Sequence, residues 1–278
     1  MFVDRSLNQR TAKSKVTDNK KCKGITLALS NQKGGVGKTT TVSALASIYA
    51  GQGLKVLAVD NDPQANLSLQ FGVDYENKDH PGSIAELYEG KKRIEEVIVQ
   101  TEHGSYLIPA MIDLARIEMY LPGVQGSDLK LKKMLDPIRK DYDLILIDAP
   151  PNLGKLAVNA LTASDWYLVP VDGPWGLRSL DTLISVAQEN TELYRDVKTK
   201  LLGIVLTMRV KTKIMANLRE STAQRYPSKL LKSEIRRSTV ALESSALQTP
   251  IPIYSKDSAV AEDYRMLADE LAQILSLY

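Results

Sequence analysis

Cysteine is nearly absent: Cys22 is the only one in 278 residues. That excludes a disulfide framework and a Cys-based metal cluster, and it fits a reducing compartment, the cytosol. Long apolar runs are absent too; none approaches the roughly 20 residues that a membrane-crossing helix needs. The N-terminus is polar and basic, unlike the charged-then-apolar start of a secretory signal. No stretch rich in Pro, Gly or Ser is long enough to divide the chain, and no segment recurs at a fixed period. The expectation is one domain over residues 24–278, preceded by an aperiodic, flexible basic arm over residues 1–23.

What is present is an alternation of short apolar runs and amphipathic ones. "GITLALSN" (24–31), "LKVLAVD" (54–60), "YLIPA" (106–110), "DLILID" (143–148), "WYLVPV" (166–171) and "LGIVLTM" (202–208) read as buried strands, with "KLLKSEI" (229–235) a weaker one. Helical patterns fall at 38–51, 127–140, 153–164, 176–194, 212–226 and 257–276. In the first, Val42, Leu45, Ala46 and Tyr49 share one face, and Gly51 and Gly53 end it. In the last, Val260, Tyr264, Leu267, Ala268, Leu271 and Ile274 form one stripe. Strands alternating with helices predict an α/β fold: a single three-layer domain with a mostly parallel twisted sheet and helices on both faces.

Net charge is only +3, but it is unevenly placed. Arg195 to Arg237 holds twelve Lys/Arg against three Asp/Glu, and the first 23 residues hold seven against two. On a nucleotide-binding protein such a distribution favours a polyanionic partner.

The nucleotide reading comes from "NQKGGVGKTTT" (31–41), which joins the first strand to the first helix. Free backbone amides at a helix start, together with the helix dipole, favour phosphate there. Gly34, Gly35 and Gly37 let the backbone curl around an anion. Lys38 reaches the β- and γ-phosphates, and the Thr39 hydroxyl is placed for Mg²⁺. The ordinary phosphate-loop pattern wants glycine at position 32, where this chain has Gln32, and Lys33 is one lysine more than that pattern needs. Two ammonium groups on one side of a phosphate chain repel each other. A cation reaching in from a second subunit removes the conflict.

"KGGVGKTT" resembles the deviant Walker A motif of the ParA/Soj/MinD ATPases, and the preceding Asn31-Gln32 resembles the ParA/Soj branch. The resemblance implies a P-loop NTPase fold and an ATP site over Lys33, Gly34, Gly35, Val36, Gly37, Lys38, Thr39 and Thr40. It implies that Lys33 crosses a dimer interface to the partner's phosphates. "VLAVDNDPQAN" (56–66) resembles the family's DxDPQxN segment, which assigns water positioning to Asp62 and support of the Mg²⁺ and phosphate network to Asp60. Asn66 fits the motif's last position, and Ala65 stands where many relatives have glycine. "DLILIDAPP" (143–151) reads as a Walker B strand, with Asp148 holding the water shell of Mg²⁺. Catalysis in such a site is positioning and charge stabilisation. The catalytic set is Lys33, Lys38 and Asp62, and the metal set Thr39, Asp60 and Asp148.

"LTMRV" (206–210) and "EIRRSTVALESSALQTPI" (234–251) resemble segments around the family's base pocket. Relatives often read Ile-Pro-Arg-Asn where this chain has Ile235-Arg236-Arg237-Ser238, so no base contact is assigned. The implied function is an ATP-dependent homodimer that binds DNA without sequence preference and serves plasmid or chromosome partition. A ParB-like centromere-binding partner stimulates its hydrolysis. Candidate DNA contacts are Lys211, Lys213, Arg219, Lys232, Arg236 and Arg237, since phosphate contacts carry affinity but no sequence information. The location implied is cytoplasmic and nucleoid-associated. The same cycle could instead position a protein cargo, such as a carboxysome, through an adaptor. A MinD-type membrane ATPase would need a basic amphipathic C-terminal helix, whereas no Lys or Arg follows Arg265. A nitrogenase-reductase-type electron carrier would need cluster cysteines. A small-substrate ligase or kinase leaves Lys33 unexplained.

Overall fold

The computed structural model describes residues 23–73 and 82–278. The arm expected over 1–23 lies outside the described residues except for Lys23, as does Cys22.

In chain order β1 (Ile25–Leu29) is followed by α1 (Lys38–Gly51), β2 (Val56–Asp60), α2 (Asn66–Gln70), α3 (Ile84–Glu89), β3 (Val99–Gln100), β4 (Tyr106–Ile108), α4 (Leu114–Tyr120), α5 (Lys130–Leu135) and β5 (Leu144–Asp148). Then come α6 (Lys155–Thr162), β6 (Trp166–Val171), α7 (Pro174–Leu193), β7 (Lys200–Arg209), α8 (Lys213–Arg225), β8 (Leu230–Arg236), α9 (Val240–Ala246), α10 (Ile251–Tyr254) and α11 (Ala259–Leu275). The strands form one eight-stranded sheet in the order β3-β4-β2-β5-β1-β6-β7-β8. Every pairing is parallel except β3 with β4.

The central strands are apolar at every position because both faces are covered. In β5, Leu144 and Leu146 pack with the α1 and α11 residues Leu45, Tyr49, Leu267 and Leu271. Ile145 and Ile147 point the other way, into a core with Leu114, Leu156, Leu180 and Leu218. This period-two division repeats in β2, where Val56 and Ala58 join the first core and Leu57 and Val59 the second. Three layers result, as the alternation predicts. β1 lies between β5 and β6, and the chain leaves it toward β2 on one side while β5 crosses to β6 on the other. Strand order reverses there, so a crevice opens at the carboxyl ends of β1, β5 and β6, where open α/β sheets place ligands.

Local chemistry explains the departures from the sequence pattern. The helix expected over 127–140 is α5 flanked by 3-10 turns, with Pro137 following it. Ile274 is 47% exposed; the buried stripe of α11 continues instead through Ala272 and Leu275. β3 is a two-residue antiparallel edge with no apolar pattern to announce it. α2, α3, α4, α9 and α10 have seven residues or fewer, too short for a periodicity to show. Among the described residues no helix is long and apolar enough to cross a membrane.

Candidate nucleotide site

The loop after β1 enters α1 through Gly37, whose φ of 87° is left-handed and costs a glycine little. No side chain caps α1 and no acid stands in its first turn. Its free amides and dipole therefore face outward with nothing competing for an anion. Nothing lies within 4 Å of where a Cβ would project from Gly35 or Gly37. The loop is a cradle open on the side a phosphate would occupy.

The two lysines take different positions. Lys38 is buried, and its Nζ donates to the carbonyls of Asn31 at 3.2 Å and Lys33 at 3.3 Å. Burial pulls its ammonium below the usual lysine range, while Asp148 and Asp62 oppose that pull. Lys33 is turned aside: its Nζ donates to Asp172 Oδ2 at 2.6 Å, and its side chain is 39% exposed. Asp172 follows the last residue of β6. Asn31 fixes the limb between them. Its Oδ1 accepts from the Lys33 amide at 3.0 Å and from Ser179 Oγ of α7 at 2.9 Å, and its Nδ2 donates to the Pro170 carbonyl at 2.6 Å. Gln32, in place of the usual glycine, reaches the Ser179 carbonyl at 3.4 Å.

Strand register assembles the acids. Asp60 and Asp148 end adjacent strands as direct partners. Thr39 Oγ1 donates to Asp148 Oδ2 at 2.6 Å. Asp148 Oδ1 is buried with no partner, and burial, with Asp60 beside it, pushes this carboxyl well above its usual range. An orphaned oxygen beside a hydroxyl suits a hard cation such as Mg²⁺, which takes few protein ligands and keeps waters or phosphate oxygens. Among the described residues no group of three or more His, Cys, Asp or Glu could enclose a metal without such help. Asp60 differs. Its Oδ1 accepts from the Asp62 amide at 3.2 Å, and its Oδ2 accepts from Ser68 N and Oγ at 2.8 and 2.7 Å. Burial pushes its carboxyl up to about 6 against those bonds. Asp60 thus shapes the turn that carries Asp62. In that turn Asp62 Oδ1 accepts from the Gln64 amide at 3.0 Å, and Ala65 is left-handed at φ 53°.

Beside the loop is a cavity of about 200 Å³. Val36 and Thr40 line one side; Thr207, Met208, Leu242 and Tyr264 are among the residues of the others. Its place next to the helix start and its largely apolar walls suit a nucleobase. Arg236 and Arg237 also line it, yet Arg236 is clamped by Asp263 through two bonds of 2.7 Å. Of the six basic residues proposed for DNA, Arg219 pairs with Glu234, as Arg209 does. Lys211, Lys213, Lys232 and Arg237 are exposed, and none of them forms an ion pair among the described residues. Lys211, Lys213 and Arg219 line one cleft, whereas Lys232 lies on the edge strand β8.

Sequence reasoning missed Asp172 and Ser179; the cavity walls Thr207, Met208 and Leu242 lie within 206–210 and 234–251, the two segments that resemble the surroundings of the family's base pocket. Asp172 carried a signal, since like Asp60 and Asp148 it closes an apolar strand run. Ser179 carried none, because only the packing of α7 against the loop reveals it.

Residues 24–201 match the AAA domain family. The sporulation initiation inhibitor protein Soj of Bacillus subtilis is 34% identical over 90% of this chain and 98% of its own. The chromosome partitioning protein ParA of Myxococcus xanthus is 33% identical over 89% and 88%. Among solved structures, a cobyrinic acid a,c-diamide synthase of Mycobacterium smegmatis with bound ADP and magnesium aligns with a TM-score of 0.77 and 32% identity, covering 90% of this chain and 94% of that one.

Proposed function

The chain belongs to the ParA/Soj-type partition ATPases of the ParA/MinD superfamily, and from that premise we propose that it is an ATP-dependent dimeric switch that binds DNA without sequence preference. The observation that carries the reading is the divergence of its two lysines: Lys38 buried under the loop, Lys33 turned aside to Asp172. Lys38 neutralises phosphate charge from within the chain. Lys33 leaves Asp172 and reaches the phosphates held by the partner, so that dimerisation reports the nucleotide. Thr39 and Asp148 would hold Mg²⁺, which would supply charge neutralisation to the triphosphate. Asp62, placed by the Asp60–Ser68 turn, orients the attacking water. The cavity between Val36 and Tyr264 takes the adenine.

The dimer joins two basic surfaces. Lys211, Lys213, Lys232 and Arg237 are the members whose charge is left for phosphate; Arg219 and Arg236 are partly committed to Glu234 and Asp263. A centromere-binding partner, or an adaptor for a protein cargo, stimulates hydrolysis and resets the cycle at the nucleoid. The Mycobacterium smegmatis similarity raises a ligase as the second reading. A ligase would pass the γ-phosphate to a bound acid, whereas the present reading needs only water.

The test is Asp62→Ala. Phosphate release without any added acid should fall at least about tenfold, while ATP and the dimer are retained. Wild-type turnover in the variant, or wild-type turnover that requires an added carboxylic acid, would refute the assignment.

A further inference from the structure

α7 is twenty residues long, yet no side chain caps its start. Gly173 stands at the N-cap, Pro174 follows it, and the first turn holds no acid. The Gly176 and Leu177 amides share the Gly173 carbonyl at 3.1 and 3.3 Å, while the Trp175 amide makes no such bond. Asp172 lies three residues before that amide, an offset at which Asp side chains cap helices. Its Oδ2 holds Lys33 at 2.6 Å. Its Oδ1 is buried and has no partner. That oxygen lies beside the first turn of α7, since a Cβ built on Gly176 would stand 3.5 Å from it. A carboxylate committed to a lysine therefore sits next to a helix start that would be stabilised by one.

We infer that Asp172 is a two-position carboxylate that either holds Lys33 folded back on its own chain or, once Lys33 leaves, turns onto the Trp175 amide and caps α7. Asp172 is then a positioning residue for Lys33, and the gain from capping offsets part of the ion pair lost when the lysine departs. α7 is also tied to what lies at its two flanks. Ser179 bonds Asn31, which holds the Lys33 amide, and Asp181 accepts from Arg225 and Tyr226 at the end of α8. Capping thus bears on a helix that touches both the phosphate loop and the element carrying Lys213 and Arg219. The functional use of this device rests on the proposed cross-subunit role of Lys33, but the device itself can be read without nucleotide.

The experiment is amide hydrogen exchange on the full chain, nucleotide-free, with α11 as the folding control. In Lys33→Ala the freed Asp172 should slow exchange in the first turn of α7 about fivefold, the worth of an N-cap. Asp172→Asn should show the same slowing, because Asn caps as well as Asp but offers no charge to the lysine. Lys33→Ala/Asp172→Ala should return to the wild-type rate or faster. An unchanged α7 in both single variants, or protection that survives in the double variant, would overturn the inference. Protection in nucleotide-free Lys33→Ala together with a wild-type protein that stays monomeric in ATP would leave the toggle standing and remove the dimer switch.

Discussion

The carboxyl ends of β1, β2 and β5 gather lysines and carboxylates whose pairings follow from strand register. The surface built by β7, α8 and β8 gathers basic residues whose pairings no motif spacing specifies, most of them made by contact between elements rather than by strand register. In the first region Asp60 and Asp148 meet because their strands are neighbours, and Thr39 meets Asp148 because the loop between β1 and α1 is short. In the second, twelve Lys/Arg stand against three acids between Arg195 and Arg237, yet Glu234 alone takes two arginines, and Asp181 and Asp263 arrive from α7 and α11. A motif with fixed spacing specifies geometry; a charge count specifies only a tendency. The proposed phosphate chemistry can therefore be argued residue by residue, while the proposed DNA contacts must be sorted by which charges remain unpaired.

The largest expected effect tests that sorting. If about four basic residues per subunit engage, log K should fall with log salt at a slope of about −7. Replacing Lys211 and Lys213 together removes four charges per dimer and should reduce the slope by about 3.6. Arg236→Ala should change it less, and should instead cost about 1–3 kcal/mol of stability by leaving the buried Asp263 carboxylate short of its partner. Equal effects of the two substitutions on the slope would erase the distinction between paired and unpaired charge. The readouts are a DNA titration at several salt concentrations and urea unfolding.

A second effect sharpens the site side of the comparison. Burial raises the Asp60 carboxyl to about 6, so the folded chain holds its proton more tightly than the unfolded chain does. That stabilisation is complete below the unfolded value near 4 and is lost as pH rises through 6. Between pH 4 and 7 the stability of wild type relative to Asp60→Asn should fall by about 2 kcal/mol in nucleotide-free protein. A difference that does not vary with pH would show that Asp60 remains ionised throughout.

Much of the fold could be read because the central strands are apolar on both faces and the long helices carry stripes. The two-residue β3 and the five short helices could not, since their burial is decided by what packs on them. In the site, spacing and resemblance named Lys33, Lys38, Thr39, Asp60, Asp62 and Asp148, which the structure gathers at the ends of β1, β2 and β5. The intrachain hold on Lys33 was not, because Asp172 is 139 residues away in sequence. The smallest expected effect concerns Ala65, left-handed yet 3% exposed. Ala65→Gly relieves strain of about 1 kcal/mol but loses a buried methyl worth about 0.8 kcal/mol. The melting temperature and turnover should scarcely change, and a large shift in either would mean that the Asp62 turn depends on that methyl.

The central claim is that Lys33 acts on the phosphates of a second copy. Sedimentation of wild type and Lys33→Ala at saturating ATP and Mg²⁺, with and without duplex DNA, tests it directly. Wild type should sediment as a dimer and carry the DNA, while Lys33→Ala should remain a monomer and leave the DNA free even though it binds ATP. A Lys33→Ala protein that still dimerises and binds DNA in an ATP-dependent way would contradict the account.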